Sequence, residues 1–297
     1  MSSIPQLFDL ALIASRRKRA LERFGREGEF LLAEAVTDLM DRLSMVKREF
    51  ALCAEVGGHT GLMARALSTR AGTERVIRLE QFPALMAEEE NGIVFDGEVL
   101  PLKPRSLDLV VSPLFLHWIN DLPGALIQIR QSLVPDGLFL GSILGGESLQ
   151  ELRAAFLEAE SELTGGATPR VAPLPNIKDM GALLQRAGFA LPVVDQDRLT
   201  VRCDTMFALI EDLRRMGATN ALVDRSRVPL RRSVLIRAAE IYAEKYSDPN
   251  GRLRATFQIL SLSGWAPDKS QQQPLKPGSA KASLRSALGD KSDQMEN

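Results

Sequence analysis

The chain has 297 residues and a formal net charge of −1, enough for one large domain or two small ones with a sizeable core. The balanced charge argues against a general nucleic-acid binder, which carries a basic surplus. Two cysteines, Cys53 and Cys203, make neither a disulfide framework nor a zinc site, and no uninterrupted apolar run approaches the ~20 residues that span a bilayer.

Met1 to Leu7 lacks the charged and apolar regions of a signal peptide. The expectation is a cytoplasmic protein without a transmembrane segment. Residues 1–49 read as an N-terminal helical segment. Leu10, Ile13, Leu21 and Phe24 share one apolar side, and Leu31, Leu32, Val36 and Leu39 continue it on a second helix. Between Ile13 and Leu21 runs Arg16-Arg17-Lys18-Arg19. A solvated helix face is the simpler reading; the alternative is a basic lid over an acidic ligand or partner.

From Phe50 short apolar runs alternate with amphipathic stretches. The runs are Phe50–Val56, Arg75–Glu80, Gly92–Asp96, Leu107–Pro113, Leu138–Leu144 and Leu191–Val201. Most are rich in Val, Ile and Leu, as strands buried on both faces require. Asp121 before Pro123 reads as a helix start, Ser148-Leu149-Gln150-Glu151 as a capping box, and Asn176 as a cap on a helix that Gly188 ends. This alternation predicts an α/β fold, a parallel sheet with helices on both faces. Thr205 to Tyr246 breaks it with two helices, an insertion at about 203–247. Leu253 to Gly264 is the last strand. The main domain is thus expected over 50–266, and the polar segment 267–297 as a mobile tail.

The first run enters Ala54-Glu55-Val56-Gly57-Gly58-His59-Thr60-Gly61, and an amphipathic run leaves it. A strand, a glycine-rich turn and a helix let backbone N–H groups approach a ligand, although ordinary tight connections also read this way. Glu80 ends the next strand, about 20 residues on, where a ribose-binding carboxylate belongs. Asp96, after the third, can accept from an adenine amino group or cap the strand end. His117 and Trp118 follow the fourth strand, at the sheet edge where α/β ligands bind. His117 can donate a hydrogen bond or move a proton, and Trp118 can stack on a flat or cationic group; alternatively both pack under the next helix. Cys53, inside the first strand, reads as a small core residue.

Taken together, Phe8-Asp9, Leu107-Asp108-Leu109-Val110-Val111-Ser112, Leu116-His117-Trp118-Ile119-Asn120-Asp121-Leu122-Pro123, Gly145-Gly146-Glu147-Ser148-Leu149, Ala255-Thr256-Phe257-Gln258-Ile259 and Gly264-Trp265 carry a resemblance. The chain resembles the class I S-adenosylmethionine-dependent methyltransferases. Within them it is most similar to the methyltransferase-like assembly factors of respiratory complex I, and more distantly to the malonyl-carrier-protein methyltransferases of biotin synthesis. The resemblance implies a Rossmann-like, seven-stranded sheet with its last strand antiparallel, and S-adenosyl-L-methionine as cofactor. It implies that Glu55, Gly57, Gly58, His59 and Gly61 form the cofactor loop, that Glu80 binds ribose and that Asp96 meets adenine. His117, with Trp118, would orient or deprotonate the acceptor, a protein or carrier-bound substrate that includes a complex I subunit. The complex I relatives are regarded as hydroxylating an arginine. That makes a protein arginine hydroxylase the enzymatic alternative, and a catalytically silent assembly factor the other. A metal-dependent hydroxylase would use a 2-His-1-carboxylate site, built here from His59, His117 and Glu55 or Asp121. The family turn has glycine where this chain has His59, so the imidazole must point out of the pocket or partly fill it.

Overall fold

Seven strands form one sheet in the order β3-β2-β1-β4-β5-β7-β6 in the computed structural model, which describes residues 6–86, 92–272 and Ser279. They are β1 Leu52–Val56, β2 Arg75–Glu80, β3 Gly92–Val94, β4 Leu107–Pro113, β5 Leu133–Leu144, β6 Ala190–Cys203 and β7 Leu253–Trp265. β1 to β5 pair in parallel, and β7 runs antiparallel between β5 and β6. The helices are α1 Leu10–Phe24, α2 Phe30–Ser44, α3 Leu62–Ser68, α4 Leu122–Ser132, α5 Gln150–Thr164, α6 Ile177–Arg186, α7 Met206–Arg215 and α8 Arg232–Tyr246. The chain divides into two units, Met1–Pro267 and Asp268–Asn297, and every element belongs to the first. The expected mobile tail falls largely outside the described residues. No helix among the described residues is long and apolar enough to cross a membrane.

Both faces of the parallel strands are covered, which explains their continuous apolar runs. On one face Leu39 and Leu43 of α2 and Met63 and Leu67 of α3 pack on Leu109, Val111 and Leu140. On the other, Leu126 and Ile129 of α4 and Met180 and Leu184 of α6 pack on Ala54, Val110 and Phe139. The insertion makes its own core, where Phe156, Leu209, Ile241 and Tyr242 meet Phe257 of β7. A fourth cluster joins Phe8 and Ile13 of the lid to Phe82, Leu85, Ala221 and Leu222. The lid is pinned at its start as well. Asp9 caps α1 through Leu12 N–H (3.0 Å) and pairs with Arg225 at 2.9 Å. Asn120 Oδ1 accepts from the N–H groups of Leu7 and Phe8 at 2.8 and 2.9 Å.

Asp121 and Asn176 cap their helices through Gly124 and Asp179 N–H, as their positions predict. The capping box at Ser148 is not formed. Leu149 takes the N-cap in a left-handed conformation with no side-chain cap bond. Ser148 Oγ donates to Gln258 O and accepts from Gln258 N–H, while Glu151 accepts from Thr256 N–H and Oγ1. Both side chains tie α5 to β7, a nonlocal partner that local spacing does not reveal.

Glu151 is buried, so Glu151→Ala strands two buried donors. Each orphan costs about 1–3 kcal/mol, and urea unfolding is expected to show a total loss of about 2–6 kcal/mol.

Candidate functional site

The turn after β1 needs residues without a Cβ because the chain's own side chains fill the space. A Cβ on Gly57, at φ 68°, would stand 1.9 Å from the Phe115 ring, and one on Gly58 would stand 1.9 Å from the Glu55 carboxyl. Behind the turn Glu55 is buried. Its Oε1 accepts from Ala64 N–H in α3 at 2.9 Å and its Oε2 from Arg78 Nε at 2.9 Å. Arg78 Nη2 reaches back to His59 O at 2.9 Å. Burial raises the Glu55 carboxyl, and the Arg78 charge opposes it. Arg78 organises the turn as much as the glycines do. Its signal in the sequence is a lone cation inside the apolar run of β2.

Glu80 ends β2 beneath the same turn and is fully buried (0% exposed). Its Oε2 accepts from His59 N–H at 3.0 Å and its Oε1 from Gln81 N–H at 2.8 Å. Burial pushes the carboxyl up to about 7, opposed first by the charge of Arg17. Arg17 comes from the lid helix and is 5% exposed. Its guanidinium lies 5.5 Å from the Phe82 ring and 6.0 Å from that of Trp118. The basic run is therefore divided. Lys18 and Arg19 are solvated, Arg16 bonds the carbonyls of Thr219 and Asn220 in the insertion, and Arg17 points inward. The solvated-face reading fails for Arg16 and Arg17 because the insertion packs over that side of α1.

His59 keeps the left-handed backbone of a glycine position, at φ 56°, a strain of roughly 1–2 kcal/mol. Its ring and that of His117 line one cavity of about 80 Å³, with Arg17, Arg215 and Trp118 also in the wall. His117 stands in a 3-10 turn, Leu116–Trp118, beyond β4, 8% exposed. Each ring is held down to about 3, chiefly by burial and next by the Arg17 charge; the Met216 main chain opposes the shift at His59. A second, largely apolar cavity of about 420 Å³ lies against the insertion and shares Leu31, His117, Trp118, Leu144, Met216 and Ala218 with the first. Asp96 is apart from both. It is exposed, and its Oδ1 caps the N–H groups of Glu98 and Val99 at 2.9 and 2.8 Å. Those bonds lower its pKa. Of the sequence-predicted residues, Glu55, Gly57, Gly58, His59, Gly61 and Glu80 thus come together, His117 and Trp118 join them through the small cavity, and Asp96 is not brought to either cavity. Among the described residues no group of three His, Cys, Asp or Glu converges in a manner that could hold a metal ion.

The three buried groups have opposite effects on pH-dependent stability. The two rings stay neutral in the fold down to about 3, whereas unfolded rings gain protons below about 6.5, so they withdraw stability as the pH falls through 6.5. Glu80 is protonated in the fold below about 7 and in the unfolded chain only below about 4.3. Its contribution is full below that lower value and is lost as the pH rises towards 7. Urea unfolding from pH 5 to 8 is expected to show a weaker acid loss in His117→Gln. In Glu80→Gln the acid loss should be steeper, because the opposing term is gone.

Residues 54–141 match the family model described as a methyltransferase domain. Over 262 residues the chain is 39% identical to the protein of Danio rerio named arginine-hydroxylase NDUFAF5, mitochondrial, covering 86% of this chain and 81% of that one. Over 250 residues it is 33% identical to the malonyl-[acyl-carrier protein] O-methyltransferase of Xylella fastidiosa, covering 81% and 80%. The solved YcgJ protein of Bacillus subtilis superposes with a TM-score of 0.53 at 14% identity, over 79% of this chain and 99% of that one, and so shares the fold. With a sheet of this order and identity at these levels across most of its length, the chain belongs to the class I methyltransferase-fold family that includes the NDUFAF5 arginine-hydroxylases and the malonyl-[acyl-carrier protein] O-methyltransferases.

Proposed function

We propose that this protein is an S-adenosylmethionine-dependent methyltransferase acting on a protein or carrier-bound substrate, with a complex I subunit among the candidates. The observation that carries the reading is Glu80, a carboxylate buried beneath the glycine turn at the carboxyl ends of β1 and β2. Strand order reverses between β1 and β4, and open α/β sheets bind ligands at such a switch point.

The residues fit the cofactor. Each Glu80 oxygen accepts one N–H group and keeps a lone pair for a ribose hydroxyl. Thr60 Oγ1, in the turn itself, is buried without a hydrogen-bond partner among the described residues. Glu80 would hold the ribose and Asp96, through its second oxygen, the adenine. Gly57, Gly58, His59 and Gly61 would supply the loop, with Glu55 and Arg78 fixing its shape. Bound S-adenosylmethionine supplies an electrophilic methyl group. The protein's part is positioning, which can account for most of the acceleration of such a displacement. A ring held near 3 is a weak proton acceptor at neutral pH, so His117 serves better to orient the acceptor than to deprotonate it. Trp118 and the apolar cavity exclude water around the acceptor's arm.

The name of the Danio rerio relative supports a second reading, a protein arginine hydroxylase, and the two histidines share a cavity. The lack of a third converging ligand among the described residues does not fit a 2-His-1-carboxylate site, and metal analysis with activity before and after chelation tests it. Location follows the same division. The sequence reads as cytoplasmic, the Danio rerio relative is mitochondrial by name, and cell fractionation separates them.

Calorimetric titration with S-adenosylmethionine and S-adenosylhomocysteine tests the main reading. Binding is expected, and above pH 7, where Glu80 is ionised, Glu80→Gln should weaken it about tenfold by replacing a charged acceptor with a neutral one. No heat and no thermal shift at millimolar ligand would leave a catalytically silent assembly factor in its place.

A further inference from the structure

Several buried polar atoms without a hydrogen-bond partner among the described residues belong to one cavity. Arg17 Nη1, Arg215 Nε, His59 Nδ1, His117 Nδ1 and Glu29 Oε1 are all in this condition, and all five residues line the 80 Å³ space beside Trp118. Buried polar groups are almost always paired, and an orphan costs about as much as a lost hydrogen bond. Unpaired groups gathered around one space large enough for several non-hydrogen atoms mark a place shaped for a polar ligand.

The kind of ligand follows from charge. Two arginines line the cavity, Arg17 and Arg215, the second also 3.8 Å from Asp212, and arginine cannot give up its proton in a protein. Glu29 is the one carboxylate in the cavity wall; Glu80 offers Arg17 a charge, but Arg17 Nη1 makes no bond to it. The rings are neutral, so each can donate or accept. Arg17 is 95% buried and already faces two aromatic rings, so what it lacks is an oxygen acceptor. A planar carboxylate matches the guanidinium fork.

We propose that Arg17 is a carboxylate-binding residue, receiving with Arg215 a carboxylate borne by a ligand that sits in the cavity of His59 and His117. This rests on the reading of that cavity as part of the ligand site. The shared wall with the apolar cavity allows two sources, the amino-acid end of the cofactor or an acidic group on the acceptor whose apolar arm occupies the larger space.

Calorimetry on the full chain with three probes tests the proposal. The probes are S-adenosylhomocysteine, 5′-methylthioadenosine (which lacks the amino-acid end) and octanoate, titrated into wild type, Arg17→Met and Arg17→Lys. Thermal unfolding first confirms that each variant is folded. If the cofactor is the source, Arg17→Met weakens S-adenosylhomocysteine at least tenfold, leaves 5′-methylthioadenosine unchanged, and Arg17→Lys restores part of the loss. If the acceptor is the source, Arg17→Met weakens octanoate at least tenfold and spares both nucleosides. Equal loss of both nucleosides means that Arg17 only shapes the pocket, and overturns the proposal; so does no change with any probe, or a loss that Arg17→Lys leaves wholly unrestored. Should neither nucleoside bind the wild type, the cofactor reading fails separately. The octanoate arm then stands alone, and absence of octanoate binding overturns the proposal.

Discussion

Two carboxylates lie buried at the carboxyl ends of neighbouring strands, and the structure around them exists to make that tolerable. An unpaired ionised carboxylate in an apolar interior costs several kcal/mol. Glu55 is relieved within the sheet by Arg78 of β2 and by the N–H of Ala64. Glu80 has two main-chain N–H groups and the charge of Arg17, which the lid helix brings from outside the sheet. The first arrangement fixes the glycine turn. The second ties the charge of the site to the position of the lid, because Arg17 can face Glu80 only while α1 is docked on Phe82 and the Ala221–Leu222 segment.

That dependence explains why residues distant in the chain meet at one place. Asn120 holds the main chain of Leu7 and Phe8, Asp9 pairs with Arg225, and Arg16 bonds the carbonyls of Thr219 and Asn220. The first sets the lid against the segment that follows β4, and the other two join the lid to the insertion. The result is a small cavity with Arg17, Arg215, His59 and His117 in its wall, beside a larger one; both are mostly apolar in surface.

His59 is the residue by which this chain departs most from its fold family's turn. Its backbone keeps the conformation that a glycine would take, and its N–H serves Glu80. The loop therefore survives the substitution, and the ring becomes a wall of the small cavity rather than a break in the turn. The retained geometry favours a working ligand site over a fold kept only as a scaffold.

The sequence by itself determined the strands and most helix ends, since these depend on neighbours a few residues away. Arg75–Glu80 and Leu107–Pro113 appear with the bounds that their apolar runs mark, and Asp121 and Asn176 cap as their spacing requires. The strand-end position of Glu80 and the turn at Gly57 were legible for the same reason. What only the tertiary structure decided were the partners. Ser148 and Glu151 serve β7 instead of their own helix because Gln258 and Thr256 lie against them. Arg17 lies between Arg16 and Lys18, and its spacing, four residues from both Ile13 and Leu21, puts it on the apolar side of α1; burial beside Glu80, however, depends on where the lid and the insertion come to rest. Periodicity records which face of a helix is apolar, whereas a buried charge is chosen by groups brought together from distant parts of the chain.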